Sequence, residues 1–398
     1  MSESTATATR EARRNPGRAT AGPRRSYLKP ALLVVALLVM LALPLYVEEF
    51  WLRTGFAVCG AMVGAIGLNL LVGTTGQLSL AHAFFLAVGA VTYVFVSGES
   101  GGLGLADLSG LGWPPLVGMI AGVLLAGLAG LLFSPIAARL RGIYLGVASI
   151  ALVFIAVHIL NNLKTVTGGF NGRTVTDFSL FGFSFTDTDP DLVVAGIEFD
   201  QAEKLWYLGL ALAVLAFLFA RNLIRSRPGR ALQTLRDSET AAAVMGVNVQ
   251  RYRATAFLVS SMYAGLAGVL YALSITNISA ESFQFDLSVL YLAMIIIGGL
   301  GSVAGAAIGA VFVSALPLVL EEFADQLESI PLLNKLLDES GTSGFTPTEL
   351  SRFVFGAAIL IVIMFEPGGL AGLGRRFVAL VKRRRTAPPP SPASAERT

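Results

Sequence analysis

Residues 221–253 read RNLIRSRPGRALQTLRDSETAAAVMGVNVQRYR, the longest polar, helix-competent interval between two strongly apolar runs. The interval carries Arg221, Arg225, Arg227, Arg230, Arg236, Arg251 and Arg253. Arginine collects in loops on the cytoplasmic face of a membrane, so the interval belongs there and orients the apolar runs on either side. Pro228 suits a first helical turn, after which Ala231, Leu232 and Leu235 fall on one face. Ser238 fits the N-cap of a second short helix, 239–245, which Gly246 can end, and Asn248 could cap the next span. Glu239 stands in the first turn of that second helix, where the helix dipole favours negative charge. Ala241, Ala242 and Ala243 permit close approach by another protein. Physics alone leaves two readings of this hairpin open, a solvated link between spans or a docking element.

The chain has 398 residues, is 54% hydrophobic and 14% charged, and has a mean hydropathy of +0.70. These values point to an all-α integral membrane protein. The net charge of +3 comes from arginines in cytoplasmic segments and needs no nucleic acid partner. The 43 glycines fit helices that pack through small residues. A single cysteine, Cys59, excludes an intrachain disulfide and a multi-cysteine metal site, and no metal ligand set is expected.

Working outward, residues 1–30 read as a basic, disordered cytoplasmic tail and 31–47 as an uncleaved first span, because no A-x-A site follows it. Spans at 55–72 and 78–96 are separated by GTTGQ at 73–77, which is either a tight cytoplasmic turn or a broken helix lining a polar path. Further spans are expected at 115–133, 143–160, 205–220 and 254–276, with an acidic external loop at 161–204 and an inner turn at Arg139 and Arg141. The apolar run 287–320 is too long for one span of about 20 residues and too short for two full ones. Acidic residues flank it on both sides, so parity makes it two short helices, broken at GGLGSVAG, 298–305. A second external loop at 321–350, a last span at 353–365 and a basic, Pro-rich cytoplasmic tail at 373–398 complete the chain. The sum is roughly ten membrane passes, two of them short or broken, inside a transmembrane domain at 31–372 with both termini cytoplasmic. Two Gly-rich breaks in opposite halves point to a transport path between inverted repeats, although the similarity between the halves is too weak to establish a repeat.

What is missing narrows the function. No lysine follows a glycine, so the phosphate-binding GxxxxGK[ST] loop is absent and this chain is not expected to hydrolyse ATP. No expected span holds an Asp, Glu, Lys or Arg in its middle, which counts against proton- or sodium-coupled transport. An energy source on another polypeptide is the natural inference. His82 and His158 stand alone and read as packed span residues.

Three stretches resemble the LivM-type permease subunit of branched-chain amino acid ABC importers: GLNLLVGTTGQLSLAHAFFLAVGAVTY at 67–93, RGIYLGVASIALVFI at 141–155, and GRALQTLRDSETAAAVMGVNVQRYRATAFLVSSMYAGLAGVLYA at 229–272. TGGFNG at 167–172 and IIIGGLGSVAGAAIGA at 295–310 are also similar, so the resemblance covers most of 68–372. The third stretch resembles the EAA-type coupling loop of ABC permeases. The resemblance implies that Arg230, Leu232, Leu235, Arg236, Glu239, Ala241, Ala242 and Gly246 couple to a cytoplasmic ATPase, with the leucines burying apolar surface and the charges forming a rim. Thr74, Thr75, Gly76, Gln77 and Ser79, with Gly298, Gly299, Gly301 and Ser302, are the candidate substrate path, free amides near 75–79 attracting a carboxylate.

The implied setting is a bacterial inner membrane. The implied partners are a second, LivH-like permease, two LivG- and LivF-like ATPases that carry the ATP and Mg, an extracytoplasmic binding protein, and lipid. No cofactor is expected on this chain. Departures from the family pattern are Ala81, Glu366 and the long acidic segment 321–349, which bear on substrate and outer partners. The alternatives are an ABC permease for urea or another small polar solute, and an ATP-independent carrier or channel.

Overall fold

The structure, a computed structural model, describes residues 35, 38–100, 108–140, 142–187, 192–194 and 197–322, together with 353, 356–357, 359–360, 364 and 369–372. The predicted tails 1–30 and 373–398 and most of the external loop 321–350 lie outside the described residues, as do most of the spans expected at 31–47 and 353–365. The chain divides into two units, Met1–Tyr46 and Val47–Thr398. In the first, a few helical residues run into a 3-10 turn, Leu43–Leu45, started by Pro44.

The second unit is a helical bundle. Its principal helices among the described residues are α1 Glu49–Thr75, α2 His82–Ser97, α3 Pro115–Arg139, α4 Ile143–Asn162, α5 Gln201–Arg225, α6 Arg227–Asp237, α7 Glu239–Val244, α8 Val249–Ile275, α9 Phe285–Gly298 and α10 Val303–Glu322. Among the described residues six helices are long and apolar enough to cross a membrane: α1, α3, α4, α5, α8, and α9 together with the 3-10 turn Ala280–Phe283 before it. Two shorter apolar helices, His82–Ser97 and Val303–Pro317, join them. The broken hairpin expected in 287–320 is therefore present as α9 and α10, with the break at 299–302.

α1 and α8 form the centre. α1 packs on α5, α8, α9 and α10, while α8 also packs on α2 and α3. The contact between α2, α3 and α8 is backbone against backbone. A Cβ at Gly89 would collide with the Gly265 carbonyl, one at Gly268 with the Leu86 carbonyl, and one at Gly122 would stand 2.6 Å from the Gly89 oxygen. Lipid supplies no hydrophobic drive between apolar helices, so close van der Waals approach through small residues does that work.

α2 has 16 residues and starts at His82, which corrects the span expected from residue 78 to a shorter helix. α1 continues to Thr75 and is closed by Gly76 at φ 72°, whose N–H reaches the Val72 carbonyl at 3.1 Å. The chain then runs without helix to His82. The His82 ring lies 4.7 Å from that of Tyr291, and Tyr291 in turn packs on Gly64. Gly64 sits roughly 16 Å up α1 from Thr75 at 1.5 Å per residue, so α2 starts deep in the bundle.

The far end of the bundle, away from the α6–α7 hairpin, adds what an all-α expectation omitted. Arg173–Thr174 pairs antiparallel with Asn277–Ile278, Ser179–Leu180 with Phe183–Ser184, and Leu192–Val194 with Ile197–Phe199. These short ladders lie in the connections between helices, where backbone outside the bilayer is free to pair with other backbone. Arg173 is buried beneath them, its Nη1 donating to the carbonyls of Ser109 at 2.7 Å and Val166 at 3.1 Å, and its Nη2 to that of Glu99 at 3.3 Å.

Gly89→Val is expected to destabilise the bundle by about 1–3 kcal/mol, the usual cost of overpacking a tight core. A lowered melting temperature of the detergent-solubilised chain would register it, and an unchanged one would show that α2 and α8 are not in backbone contact.

Candidate functional site

Three side-chain caps in succession shape the polar hairpin. Ser226 starts α6 by accepting from the Gly229 N–H at 3.4 Å, Ser238 starts α7 by accepting from Ala241 at 3.2 Å, and Asn248 starts α8 by accepting from Arg251 at 3.1 Å. Each supplies an acceptor to amides that a helix start leaves unpaired. The second and third caps were legible in the sequence, and Gly246, at φ 82°, closes α7 as expected.

Two leucines expected to face a partner are instead spent inside this chain. Leu232 is 5% exposed and Leu235 3%. Leu232 belongs to a cluster with Leu71, Phe133, Ala137, Leu145, Ala256 and Phe257, drawn from α1, α3, α4 and α8. Ala242 is also fully buried. The apolar surface left outward is at the tip, where Val244 is 84% and Met245 65% exposed, beside exposed Ala241 and Ala243. A helical stripe says which residues share a face, not whether that face meets its own bundle or another molecule.

The charges divide in the same way. Arg230 is exposed and donates to the Arg225 carbonyl at 3.0 Å. Arg236 is exposed as a residue, while its Nη1 donates to the Gly73 carbonyl at 2.5 Å. Glu239 pairs with Arg253, whose side chain is 7% exposed against 36% for the glutamate. Arg253 also donates to the Ala138 carbonyl at 3.0 Å, so one guanidinium holds α7 to the base of α8 and the end of α3. Arg236 and Glu239 thus keep exposed surface and in addition tie the hairpin to the bundle, which the expectation of rim charges did not include. Arg253 was not singled out by sequence reasoning. Its one signal was an arginine at the start of an apolar run, where burial demands partners.

Both Gly-rich breaks lie at the hairpin end of α1. Thr74 and Thr75 donate to the carbonyls of Leu70 and Leu71, the latter at 2.7 Å, and so are absorbed into α1. This corrects the expectation of a helix N-terminus near 75–79: a helix ends there, because both threonines bond back one turn and Gly76 supplies the left-handed cap. The N-terminus is at His82, flanked by Leu80 N–H donating to Ser149 Oγ at 2.8 Å and Ala83 N–H to Ser288 Oγ at 2.9 Å.

At the other break, Gly298 ends α9, Gly299 and Gly301 take φ of 109° and 82°, and Ser302 caps α10 by accepting from Gly305 at 3.1 Å. The two breaks meet where the Gly301 N–H donates to Asn69 Oδ1 at 2.9 Å. Gln77 and Ser79 are buried, and both amide atoms of Gln77, the Nε2 of His82 and the Nδ2 of Asn69 are buried without a hydrogen-bond partner. Among the described residues no group of His, Cys, Asp and Glu is placed to hold a metal ion.

The profile of the family described as "Branched-chain amino acid transport system / permease component" matches residues 58–363. The chain is 29% identical over 363 residues to the high-affinity branched-chain amino acid transport system permease protein LivM of Escherichia coli (strain K12), covering 88% of this chain and 77% of that protein. It is 28% identical to the LivM of Salmonella typhimurium over the same shares. A more distant match is the permease protein LivH of the same E. coli strain, 22% identical over 77% of this chain and 90% of that one. No solved structure matches the chain.

Replacing Arg253 by Ala should cost about 1–3 kcal/mol by stranding hydrogen-bonded partners, with Glu239→Gln costing less. The double change should cost less than the sum of the two. Melting of the purified variants measures all three, and strict additivity would show that the two side chains do not interact.

Proposed function

Because the chain belongs to the branched-chain amino acid transport permease family, we propose that it is the membrane-spanning permease subunit of an ATP-driven importer. It moves branched-chain or related hydrophobic amino acids by alternating access. The observation that carries this reading is the hairpin: its interior is locked into the bundle while its tip holds Val244 and Met245 out. An exposed apolar tip on an otherwise polar, arginine-rich turn is suited to insertion into a cleft on another protein.

In this reading the hairpin faces the cytoplasm and docks on an ATPase subunit, Ala241 and Ala243 allowing close contact and Arg230 lying at the edge. ATP and Mg bind on a pair of such ATPases, and no cofactor resides on this chain. The second permease is a homologous chain, a reading supported by the similarity of this sequence to both LivM and LivH. A soluble binding protein delivers substrate at the opposite face. The protein is a multi-pass membrane protein, placed in the bacterial inner membrane with both termini inside. The substrate path runs from the two breaks, with Gln77, Ser79, Gly299 and Ser302, toward the N-terminus of α2; the carboxylate of the amino acid would then meet the amides near His82 and not those near Thr75.

Affinity capture from the native membrane in mild detergent, with mass-spectrometric identification, should recover Walker-containing ATPases and a second permease. Val244→Asp combined with Met245→Asp should insert normally yet weaken ATPase retention by about thirtyfold or more, the scale of losing an interface hot spot. Capture of this chain alone, with uptake that ignores ATP depletion, would assign it to the carriers or channels instead.

A further inference from the structure

We propose that Arg236 and Asn69 are positioning residues that tie the hairpin to both breaks at once, so that displacement of the hairpin reaches the α1–α2 and α9–α10 connections together. The inference rests on the coupling reading of the hairpin and names how motion would pass from it.

The geometry begins with two backbone groups that helices leave over. α1 ends at Thr75, so the Gly73 carbonyl is among the last four, which have no partner within the helix. Arg236 Nη1 fills that vacancy at 2.5 Å, from a residue 163 positions away, and a cation is what the carbonyl end of a helix favours. The Gly301 N–H lies between α9 and α10 and likewise has no helical partner. Asn69 Oδ1 takes it at 2.9 Å from 232 positions away, and Asn69 itself is fully buried.

The three segments meet with no room between them. A Cβ at Gly73 would stand 2.5 Å from the Gly301 nitrogen, and one at Gly301 would stand 2.9 Å from Arg236 Nη1 and 3.2 Å from the Gly73 oxygen. The Arg236 stem also runs 3.5 Å from where a Cβ of Gly76 would be. The two breaks are therefore in backbone contact with each other, and the Arg236 side chain packs against both. Hinges form where a few residues outside regular helix absorb changes in φ and ψ, and the described bundle has such residues at 76–81 and 299–302.

The test uses the complete complex reconstituted in proteoliposomes, with transport and ATP hydrolysis measured on the same vesicles, and hydrogen exchange of peptides covering 73–81 and 299–302 in the isolated chain. Arg236→Ala should still retain the ATPases and hydrolyse ATP, while substrate moved per ATP falls about tenfold or more, the scale of one charge-assisted hydrogen bond. Arg236→Lys, which keeps a cationic donor, should recover much of the loss, and Asn69→Leu should act in the same direction as Arg236→Ala. Exchange should rise at both breaks in Arg236→Ala. A wild-type ratio of transport to hydrolysis in both Arg236→Ala and Asn69→Leu would overturn the proposal, as would exchange that stays unchanged at either break. Loss of ATPase capture by Arg236→Ala would also overturn it, making Arg236 a docking residue. Failure of the wild-type chain to capture any ATPase would defeat the coupling reading instead, while the exchange experiment would still report on the tie.

Discussion

Inside a bilayer no water is available to a backbone N–H or C=O that leaves a helix, so every interruption of a helix has to be satisfied by the protein itself. That constraint accounts for the side chains around the two breaks. Ser149 and Ser288 receive the amides of Leu80 and Ala83, Asn69 receives that of Gly301, and Arg236 covers the Gly73 carbonyl. None of these residues is adjacent in sequence to the group it serves. The breaks are consequently also the places where remote helices are fastened together: α4 and α9 to the start of α2, α6 to the end of α1.

Close helix packing serves the same end by another route. Where Gly89 faces Gly265 and Gly268 faces Leu86, the backbones of α2 and α8 approach too closely for side chains to intervene. α2 is only 16 residues long and begins at depth, so it cannot be held by matching the thickness of the membrane. Backbone contact with α8, together with the Ser288 and Tyr291 contacts from α9, fixes its height instead.

Much of this was legible in the chain. Apolar runs and the sides of their flanking charges located α1 to α5, α8 and the broken pair α9 and α10, because span length and arginine placement are properties of sequence alone. Ser238, Asn248 and Gly246 were readable because caps are local. The rest was not local. Whether Leu232 meets Phe133 and Phe257 or a partner depends on where α3 and α8 sit, and periodicity carries no such information. Arg236 and Glu239 read as surface charges, and their second role as ties depends on the bare carbonyl and the buried Arg253 that the bundle places beside them. Thr75 looked like part of an opening because a Gly-rich interruption does not reveal which of two helices owns it, and two back-bonds to Leu70 and Leu71 assign it to α1.

The hairpin is held from two directions by interactions of different kinds. Arg253 joins Glu239 on α7 and the carbonyl of Ala138, which ties the tip side of the hairpin to α3 and α8. Arg236 on α6 reaches α1 and, through Gly73 and Asn69, the junction with α9 and α10. Leu232 fills the space between these attachments. An element clamped to both groups of helices cannot shift relative to one without loading the other, and its exposed apolar surface is the tip at Val244 and Met245. A force applied at that tip therefore has two exits, one through the Glu239–Arg253 ion pair into packed α3 and α8, the other through single hydrogen bonds to glycine backbone. The second is the more compliant, since residues 76–81 and 299–302 lie outside helix and carry glycines at positive φ, so movement is expected to appear there first.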